Sequence, residues 1–284
     1  MFWVSPNSSA QLQADAWRVT RPADAAQMDK IARNSQAVWM DGRTVDVFTD
    51  VNNAVTAATA VGSTPVLVAY NIPQRDCGGL SAGGTTINGY KGWIAAFANG
   101  LAGRKAVVIL EPDALTQMDC LSAADQTTRV NLIQYALAVL KAQGNAAVYL
   151  DGGHSAWKSA SDQANRLRRA NVAGADGFAL NVSNFQSTSN SIAFGKAVSD
   201  LIGGKHFVID TSRNGLGPTA DNQWCNPAGR ALGTPNTTGT DDSRVDAYLW
   251  IKPPGESDGS CNGAPAAGLW WGDYALGLAE RSSL

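Results

Sequence analysis

Acidic residues follow several of the apolar runs in this sequence, at positions where they could take part in acid–base chemistry. Asp113 comes directly after the apolar run that leads into Glu111, and Asp76 and Asp151 follow two other runs. Taken alone, Asp113 could equally cap a following helix, and Asp151, which precedes two glycines, could be a turn residue. A set of carboxylates with few histidines suits acid–base cleavage of a glycosidic bond, or a Mg²⁺ or Ca²⁺ site.

Further charged and polar residues stand at comparable places along the chain. If the apolar runs are strands of one barrel, their carboxyl ends meet at one rim, where the active sites of (β/α) barrels lie. Several acids gathered there would repel one another unless some pair with Arg or Lys and at least one stays protonated. A carboxylic acid kept protonated in this way can donate a proton near neutral pH. The other candidates for this rim are Arg75, His154, Asn181, Asp210, Arg213, Glu256 and Asp258.

Composition and motifs argue against several other classes of function. The net charge of -2 gives no basic surface for nucleic acid, and no apolar run approaches the roughly 18 residues of a membrane span. Only His154 and His206 are available as histidine ligands, which disfavours zinc. The sequence has no G-x-S-x-G elbow and no glycine-rich phosphate loop. We therefore expect no cofactor, no metal, no nucleic-acid partner and no membrane association.

Seven short apolar runs, separated by segments with helical spacing, indicate the architecture that positions these side chains. The runs are apolar on both sides, which is typical of parallel strands covered on both faces. Successive strand–helix units predict a parallel sheet with right-handed crossovers. We expect an α/β fold, namely a distorted, TIM-barrel-like (β/α) barrel of about seven parallel strands. We expect it to form a single catalytic domain over 1–284. A doubly wound open sheet is the alternative. The predicted strands are 36–40, 64–70, 106–112, 146–152, 177–183, 206–212 and 246–253.

Two helices and one long loop stand out between these runs. The segment 122–144 has an apolar stripe at helical spacing, with Ser122 or Asp125 as its cap, and 161–174 is similar. The stretch 213–245 is rich in Gly, Pro, Asn and Thr and predicts a long loop. Loops of this length are usually functional or disordered.

The four cysteines, Cys77, Cys120, Cys225 and Cys261, are widely spaced and form no close pair. They could form two disulfides or remain four thiols, and spacing alone does not choose among the three pairings. The N-terminal residues contain neither a basic region nor a long apolar region, so we expect no signal peptide in this chain.

Nine tryptophans are many for 284 residues. Tryptophan is usually a packing residue, and we expect that role for Trp17, Trp93, Trp250, Trp270 and Trp271. A sugar-binding cleft is the other place for tryptophan, because its flat apolar face stacks on a pyranose ring while the indole N–H donates a hydrogen bond.

These segments resemble glycoside hydrolase family 6, the cellulases that cut β-1,4-glucan with inversion. The resemblance covers nearly the whole chain, from FWVSPNSSA to AGLWWGDYAL. Its two longest motifs are VLVAYNIPQRDCGGLSAGG (66–84) and VILEPDAL (108–115). Shorter matches in the same order include LDGGHSAW (150–157), DTSRNGLGP (210–218) and DAYLWIKPPGESDGSC (246–261).

The resemblance implies roles for individual residues. Asp113 matches the general acid, Asp76 matches the acid that raises the pKa of Asp113 and helps to organise water, and Asp258 matches the candidate base. Tyr70 would lie under the distorted sugar at the cleavage site, and Asp151 would belong to the same electrostatic network. The family's sugar-stacking platforms are matched by Trp39, Trp157 and Trp224. Positions that contact substrate or this network are matched by His154, Asn181, Arg213, Lys252 and Glu256. The implied disulfides are Cys77–Cys120 and Cys225–Cys261.

Two further positions lie near the predicted acids, the serine position in the loop after Asp76 and Glu111 before Asp113. Many relatives carry a serine six residues after the aspartate that matches Asp76, where this chain has Ala82 and, one residue earlier, Ser81. Either Ser81 takes over the relay of the attacking water through a shifted loop, or backbone groups hold that water. Glu111 ends a strand, and we expect it to support the network rather than to donate a proton.

The resemblance implies an endo-β-1,4-glucanase that acts on cellulose and cello-oligosaccharides, as a monomer secreted from the cell. Exo-acting members carry long loops that roof the cleft into a tunnel, and this chain is short for such a roof. The alternatives are an exo-acting cellobiohydrolase of the same fold, a non-catalytic glucan-binding protein and a metal-dependent hydrolase.

Overall fold

The computed structural model describes residues 1–284 and contains one parallel sheet of seven strands. The strands lie in the sheet in the same order as in the sequence. All seven predicted strands are present, and six of them end before the apolar run does, because its last residues already belong to the loops of the rim. Their bounds are β1 Val38–Met40, β2 Val66–Ala69, β3 Ala106–Leu110, β4 Ala146–Asp151, β5 Gly177–Leu180, β6 His206–Asp210 and β7 Val245–Leu249.

The sheet curls until its first and last strands lie side by side. The backbone N–H of Ala37 donates to the carbonyl of Trp250 at 3.0 Å, and the indole N–H of Trp39 donates to the carbonyl of Ile251 at 2.8 Å. These contacts stand in place of a regular β1–β7 ladder. The result is the predicted distorted (β/α) barrel, and not the open doubly wound sheet.

Eight α-helices surround or flank the barrel, and none has the length and apolar character needed to cross a membrane. The predicted helix at 122–144 is α5, and its cap is Ser122, whose hydroxyl accepts the N–H of Asp125 at 3.2 Å. The predicted helix at 161–174 is shorter than expected, because α6 gives way to a 3₁₀ turn at Val172–Gly174. The bounds are α1 Ser9–Trp17, α2 Pro22–Ala32, α3 Val47–Ala60, α4 Ile87–Leu101, α5 Ala123–Lys141, α6 Ala160–Arg169, α7 Thr188–Leu201 and α8 Gly272–Glu280.

Apolar side chains fill two layers, one inside the barrel and one between the sheet and its helices. Successive strand residues point to opposite faces, so a strand that is apolar throughout supplies both layers. In β2, Val68 belongs to the interior layer, whereas Leu67 and Ala69 pack toward the helices. Tyr70 continues the interior series and is the first residue of β2's run to reach the rim.

The tryptophans expected to pack do so. Trp250 is fully buried, and Trp93 packs between Tyr90 and Phe97 at ring distances of 6.0 and 5.8 Å. Trp17, Trp270 and Trp271 are partly buried around the apolar cluster formed by α1, α2 and α8.

The predicted long loop follows β6 and reaches β7 without a strand of its own. An isolated bridge between Asn214 and Ala231 joins two parts of the loop, and a second bridge, between Thr237 and Tyr248 of β7, holds the loop against the barrel. A disulfide joins Cys225 in this loop to Cys261 after β7. A second disulfide joins Cys77 to Cys120, and therefore ties the loop after β2 to the loop after β3. Both pairings implied by the resemblance are thus present.

Candidate active site

A cleft of about 650 Å³ opens at the carboxyl ends of the strands, where the sequence predicts the site. Loops that follow all seven strands supply its lining. Asn181 and Arg213 do not line it, although both were expected there. The predicted residues that do line it are Trp39, Tyr70, Asp76, Ser81, Asp113, Asp151, His154, Trp157, Trp224, Lys252, Glu256 and Asp258.

Asp113 presents a carboxyl group to the cleft and does not cap a helix. Its backbone has a positive φ of 69°, its N–H donates to Asp151 Oδ2 at 3.0 Å, and its carbonyl accepts the N–H of Gln117 at 2.8 Å. Burial raises the pKa of Asp113 well above its ordinary value, and the neighbouring carboxylates of Asp151 and Asp76 raise it further. Burial and the neighbouring acids therefore favour the protonated form of Asp113, the form that a proton donor needs.

Asp151 lies behind Asp113 with almost no exposure. One oxygen, Oδ2, accepts two backbone N–H groups, from Asp113 at 3.0 Å and from Gly153 at 3.2 Å. Burial raises the pKa of Asp151 to about 7, and the two hydrogen bonds oppose that rise. Asp151 therefore fixes the backbone of Asp113 and also raises the pKa of its carboxyl group.

Asp76 belongs to a chain of hydroxyl and carboxyl groups in the loop that follows β2. Its Oδ2 accepts the N–H of Ser81 at 2.8 Å and the hydroxyl of Ser81 at 3.0 Å. That hydroxyl also lies 2.9 Å from the phenol oxygen of Tyr70. Ser81 therefore occupies the place between Asp76 and Tyr70, whereas Ala82 is exposed. The hydroxyl of Ser81 can hold a water molecule at this place, and it stands one residue earlier in the sequence than the serine of the family pattern.

Arg75 anchors the loop that carries this chain and does not pair with Asp76. Its guanidinium donates to the carbonyls of Tyr70 at 2.6 Å, Asp41 at 2.8 Å and Ser81 at 2.9 Å. It also stacks on the ring of Tyr70 at 4.5 Å. The surface ion pair that the adjacent charges of Arg75 and Asp76 could suggest is absent, because the guanidinium is buried against backbone carbonyls.

Asp258 is buried at the far wall and paired with two cations. Its Oδ2 lies 2.8 Å from Arg213 Nη1 and accepts the N–H of Asn226 at 3.0 Å. Its Oδ1 lies 3.7 Å from Lys252 Nζ. Burial lowers the pKa of Lys252, and the Asp258 charge opposes that shift. Glu256, from the same loop, is half-buried, and burial raises its pKa.

Arg213 and Asn181 lie behind the lining of the cleft, and of the two contacts expected for them, to substrate or to the network, Arg213 makes the one to the network at Asp258. Arg213 is completely buried, and its guanidinium donates to Asp258 and to the carbonyl of Ser183 at 2.6 Å. Asn181 is also completely buried; its amide donates to the carbonyl of Asp210 at 2.8 Å and accepts the N–H of Gln186 at 2.9 Å. Both side chains make their hydrogen bonds inside the protein, and they support the residues that line the cleft.

Two acids from the rim point into the sheet and not into the cleft. Glu111 is buried and accepts the N–H of Asn71 at 3.0 Å and that of Ile72 at 3.1 Å, and burial raises its pKa to about 7. Asp210 is buried and accepts backbone N–H groups that include the one of Lys252 at 3.0 Å. Each fixes the start of a rim loop, as expected for Glu111.

Aromatic rings and an imidazole form the rest of the lining. Trp39 meets Tyr70 edge-to-face at 5.1 Å, and His154 lies 5.4 Å from Trp157. Burial lowers the pKa of His154 to about 4, so its imidazole is neutral at pH 7. Trp224, from the long loop, is 50% exposed although it lines the cleft. The cleft therefore offers flat apolar faces beside polar groups, the combination that suits a sugar chain.

A barrel whose rim carries buried carboxyl groups among aromatic rings is typical of a glycoside hydrolase. The family model of Glycosyl hydrolases family 6 matches residues 1–282, and the chain belongs to this family.

Curated and solved relatives agree with this assignment. The chain is 45% identical to Endoglucanase A of Cellulomonas fimi, over 99% of this chain and 61% of that protein. It is 41% identical to Endoglucanase 1 of Streptomyces halstedii, over 92% of this chain and 82% of that protein. The structure of the endoglucanase Cel6 from Mycobacterium tuberculosis, in complex with methyl-cellobiosyl-4-deoxy-4-thio-β-D-cellobioside, superposes with a TM-score of 0.95 at 46% identity, covering 100% of this chain and 97% of that one.

The chain spans about three fifths of the length of the first two curated relatives, the endoglucanases A of Cellulomonas fimi and Thermobispora bispora. Those proteins therefore contain regions that have no counterpart in this chain.

One residue of the site was missed by reasoning from the sequence. Gln117 lines the cleft, and its amide Nε2 donates to Asp76 Oδ1 at 3.0 Å. Its spacing of four from Asp113 places it one turn further along the same loop, but a glutamine at that spacing carries no chemical signal of its own.

Proposed function

We propose that this chain is an endo-β-1,4-glucanase that hydrolyses cellulose and cello-oligosaccharides with inversion at the anomeric carbon. The observation that carries the proposal is Asp113, a carboxyl group that faces an aromatic-lined cleft and whose pKa is raised by burial and by two neighbouring acids. Such a group protonates the glycosidic oxygen as the bond to the sugar breaks.

Asp76, Ser81 and Tyr70 organise the attacking water in this proposal. An inverting glycosidase needs a water molecule on the face of the sugar opposite to the leaving group. The carboxylate of Asp76 and the two hydroxyl groups offer acceptors and donors for that water next to Asp113. Ser81 fills the relay position that the family pattern gives to the next residue.

Asp258 is the base in this proposal. Arg213 binds its Oδ2 at 2.8 Å and Lys252 Nζ lies 3.7 Å from its Oδ1, so two cations hold in place the group that takes a proton from water. It is buried at the wall of the cleft, so the proton reaches it through water and not by direct contact with the sugar.

Aromatic and polar side chains bind the glucan. Trp39, Trp157 and Trp224 provide stacking faces, while His154, Lys252 and Glu256 provide hydrogen-bonding groups along the same cleft. A neutral imidazole at His154 can donate or accept a hydrogen bond without adding charge.

Endo action is favoured over exo action by the names of the relatives. Five relatives called endoglucanases are 34–45% identical over 84–99% of this chain, whereas three called exoglucanase or cellobiohydrolase are 28–31% identical. The test is the loss of viscosity of carboxymethylcellulose against the release of soluble sugar. A rapid loss of viscosity at low sugar release supports endo cutting, and steady cellobiose release with little viscosity change contradicts it.

The chain acts as a monomeric single domain outside the cell in this proposal. Two disulfides close loops at the rim, and such bonds persist in oxidising compartments. Sedimentation at micromolar concentration tests the oligomeric state, and a dimer would contradict it.

The decisive variant for the activity is Asp113→Ala. Loss of a general acid costs about 10²–10⁴-fold in rate, so we expect near-complete loss of cellotetraose hydrolysis with glucan binding retained. Asp241→Ala, on an exposed loop away from the cleft, is the matched control. A non-catalytic glucan-binding protein would show no wild-type turnover, and a metal-dependent hydrolase would lose its turnover in EDTA.

A further inference from the structure

Gln117 joins the two loops that carry Asp76 and Asp113. Its backbone N–H donates to the carbonyl of Asp113 at 2.8 Å, and its side chain Nε2 donates to Asp76 Oδ1 at 3.0 Å. The other oxygen of Asp76, Oδ2, is taken by the N–H and hydroxyl of Ser81. Each oxygen of this carboxylate therefore has its own donor, and the plane of the carboxylate is fixed between them.

The orientation of the Gln117 amide is set by its neighbour. A carboxylate oxygen accepts hydrogen bonds and cannot donate them, so the amide nitrogen must face Asp76. The amide oxygen Oε1 is buried and has no hydrogen-bond partner in the protein. Because that oxygen binds no other protein group, the only hydrogen bond that the Gln117 amide makes inside the protein is the one to Asp76.

Two other links hold the same loops together, and neither touches Asp76's carboxylate. The Cys77–Cys120 disulfide joins them covalently. The buried guanidinium of Arg129 donates to the carbonyls of Pro73 at 2.7 Å and Ala114 at 3.3 Å. Both links set the distance between the loops, whereas the Gln117 amide sets the direction of a reacting group.

We propose that Gln117 is a positioning residue that aims the Asp76 carboxylate at the attacking water. This inference rests on the proposed function, because it assigns a purpose to Asp76 in glycoside cleavage. The other charged and titratable groups next to Asp76 are Asp113 from the β3 loop, Tyr70 from the end of β2 and Arg75 from its own loop.

Removing the amide should affect the chemical step more than substrate binding. A hydrogen bond to a charged group is worth enough to change a rate by about tenfold to a hundredfold. The substrate contacts assigned to the aromatic rings are left in place, so KM should stay nearly constant while kcat falls.

The experiment compares Gln117→Leu and Gln117→Glu with the wild type on cellotetraose from pH 4 to pH 9. Gln117→Leu keeps the approximate volume and has no donor. Gln117→Glu can donate to Asp76 only when it is protonated, so its activity should recover toward low pH. Gln126→Leu is the control, because that side chain donates to the carbonyl of Leu121 at 3.2 Å, near the same loop, without touching a carboxylate.

The inference is supported if Gln117→Leu lowers kcat by about tenfold or more at nearly constant KM and leaves urea unfolding like that of the control. It is overturned if Gln117→Leu has the wild-type kcat, or if kcat falls only in proportion to lost folded protein. Asp113→Ala separates the two claims. If that variant is inactive while Gln117→Leu is normal, the proposed function stands and only the role of Gln117 fails.

Discussion

Asp151→Asn should stabilise the protein at neutral and alkaline pH, although it removes a charged group from the active site. The carboxylate of Asp151 is buried, and the only hydrogen bonds that it receives come from the N–H groups of Asp113 and Gly153. Both bonds end on one oxygen, so an amide oxygen can accept them equally well. The substitution therefore removes a buried charge and keeps the geometry.

The magnitude follows from the pKa of Asp151, which burial raises from 3.8 to about 7. Between these two values the unfolded chain loses the proton while the folded protein keeps it, so the wild type loses stability as the pH rises. The loss is about 1.4 kcal/mol per pH unit and amounts to about 4 kcal/mol by pH 7, above which it is constant. The asparagine variant has no such loss at this position.

Urea unfolding of both proteins at pH 4, 5.5, 7 and 8 measures this difference. The free energy of unfolding of Asp151→Asn relative to the wild type should grow by about 4 kcal/mol between pH 4 and pH 7 and then level off. Asp241→Asn, at an exposed position, is the control and should show no such growth. A difference that is independent of pH, or that favours the wild type as the pH rises, would refute the reasoning.

Arg213→Met should lower the free energy of unfolding by about 3–5 kcal/mol in urea, because it leaves Asp258 buried with only Lys252, at 3.7 Å, as a cation; a loss below about 1 kcal/mol would mean that the pair is not buried as described. Trp224→Ala should leave stability unchanged, since the ring is 50% exposed. It should raise KM for long cello-oligosaccharides about fivefold through roughly 1 kcal/mol of lost apolar contact, and an unchanged KM would remove Trp224 from the substrate path.

The strands could be predicted because burial on both faces leaves a local trace. A parallel strand covered by helices outside and by other strands' side chains inside must be apolar at every position, as in VLVA of β2. The number and order of the strands follow from such runs. The way in which the barrel closes does not, because it depends on single contacts such as the one between Ala37 and Trp250.

The acidic residues of the site could be predicted from their place after each strand, but the direction of each side chain could not. Asn181 stands at a strand end like Asp113, and both have a positive φ. The loop of Asn181 folds back so that its amide binds Gln186 beneath the rim. Arg213 is buried because it meets Asp258, which lies 45 residues further on. Contacts of such sequence separation leave no local signal.

The contact of Gln117 with Asp76 could not be predicted from the sequence either. Its role depends on the distance of 3.0 Å between its amide and Asp76, across 41 residues of sequence. The disulfide implied at Cys77 and Cys120 predicted that the two loops lie close together. It did not predict which side chain would fill the space between them.

The most direct test of the general-acid role compares two substrates with the variant Asp113→Asn. Cellotetraose needs a proton on its leaving oxygen, whereas β-cellobiosyl fluoride releases fluoride without one. We expect Asp113→Asn to lose about a thousandfold in kcat/KM on cellotetraose and less than about tenfold on the fluoride. Equal losses on the two substrates, or full activity on cellotetraose, would contradict the assignment of Asp113 as the proton donor.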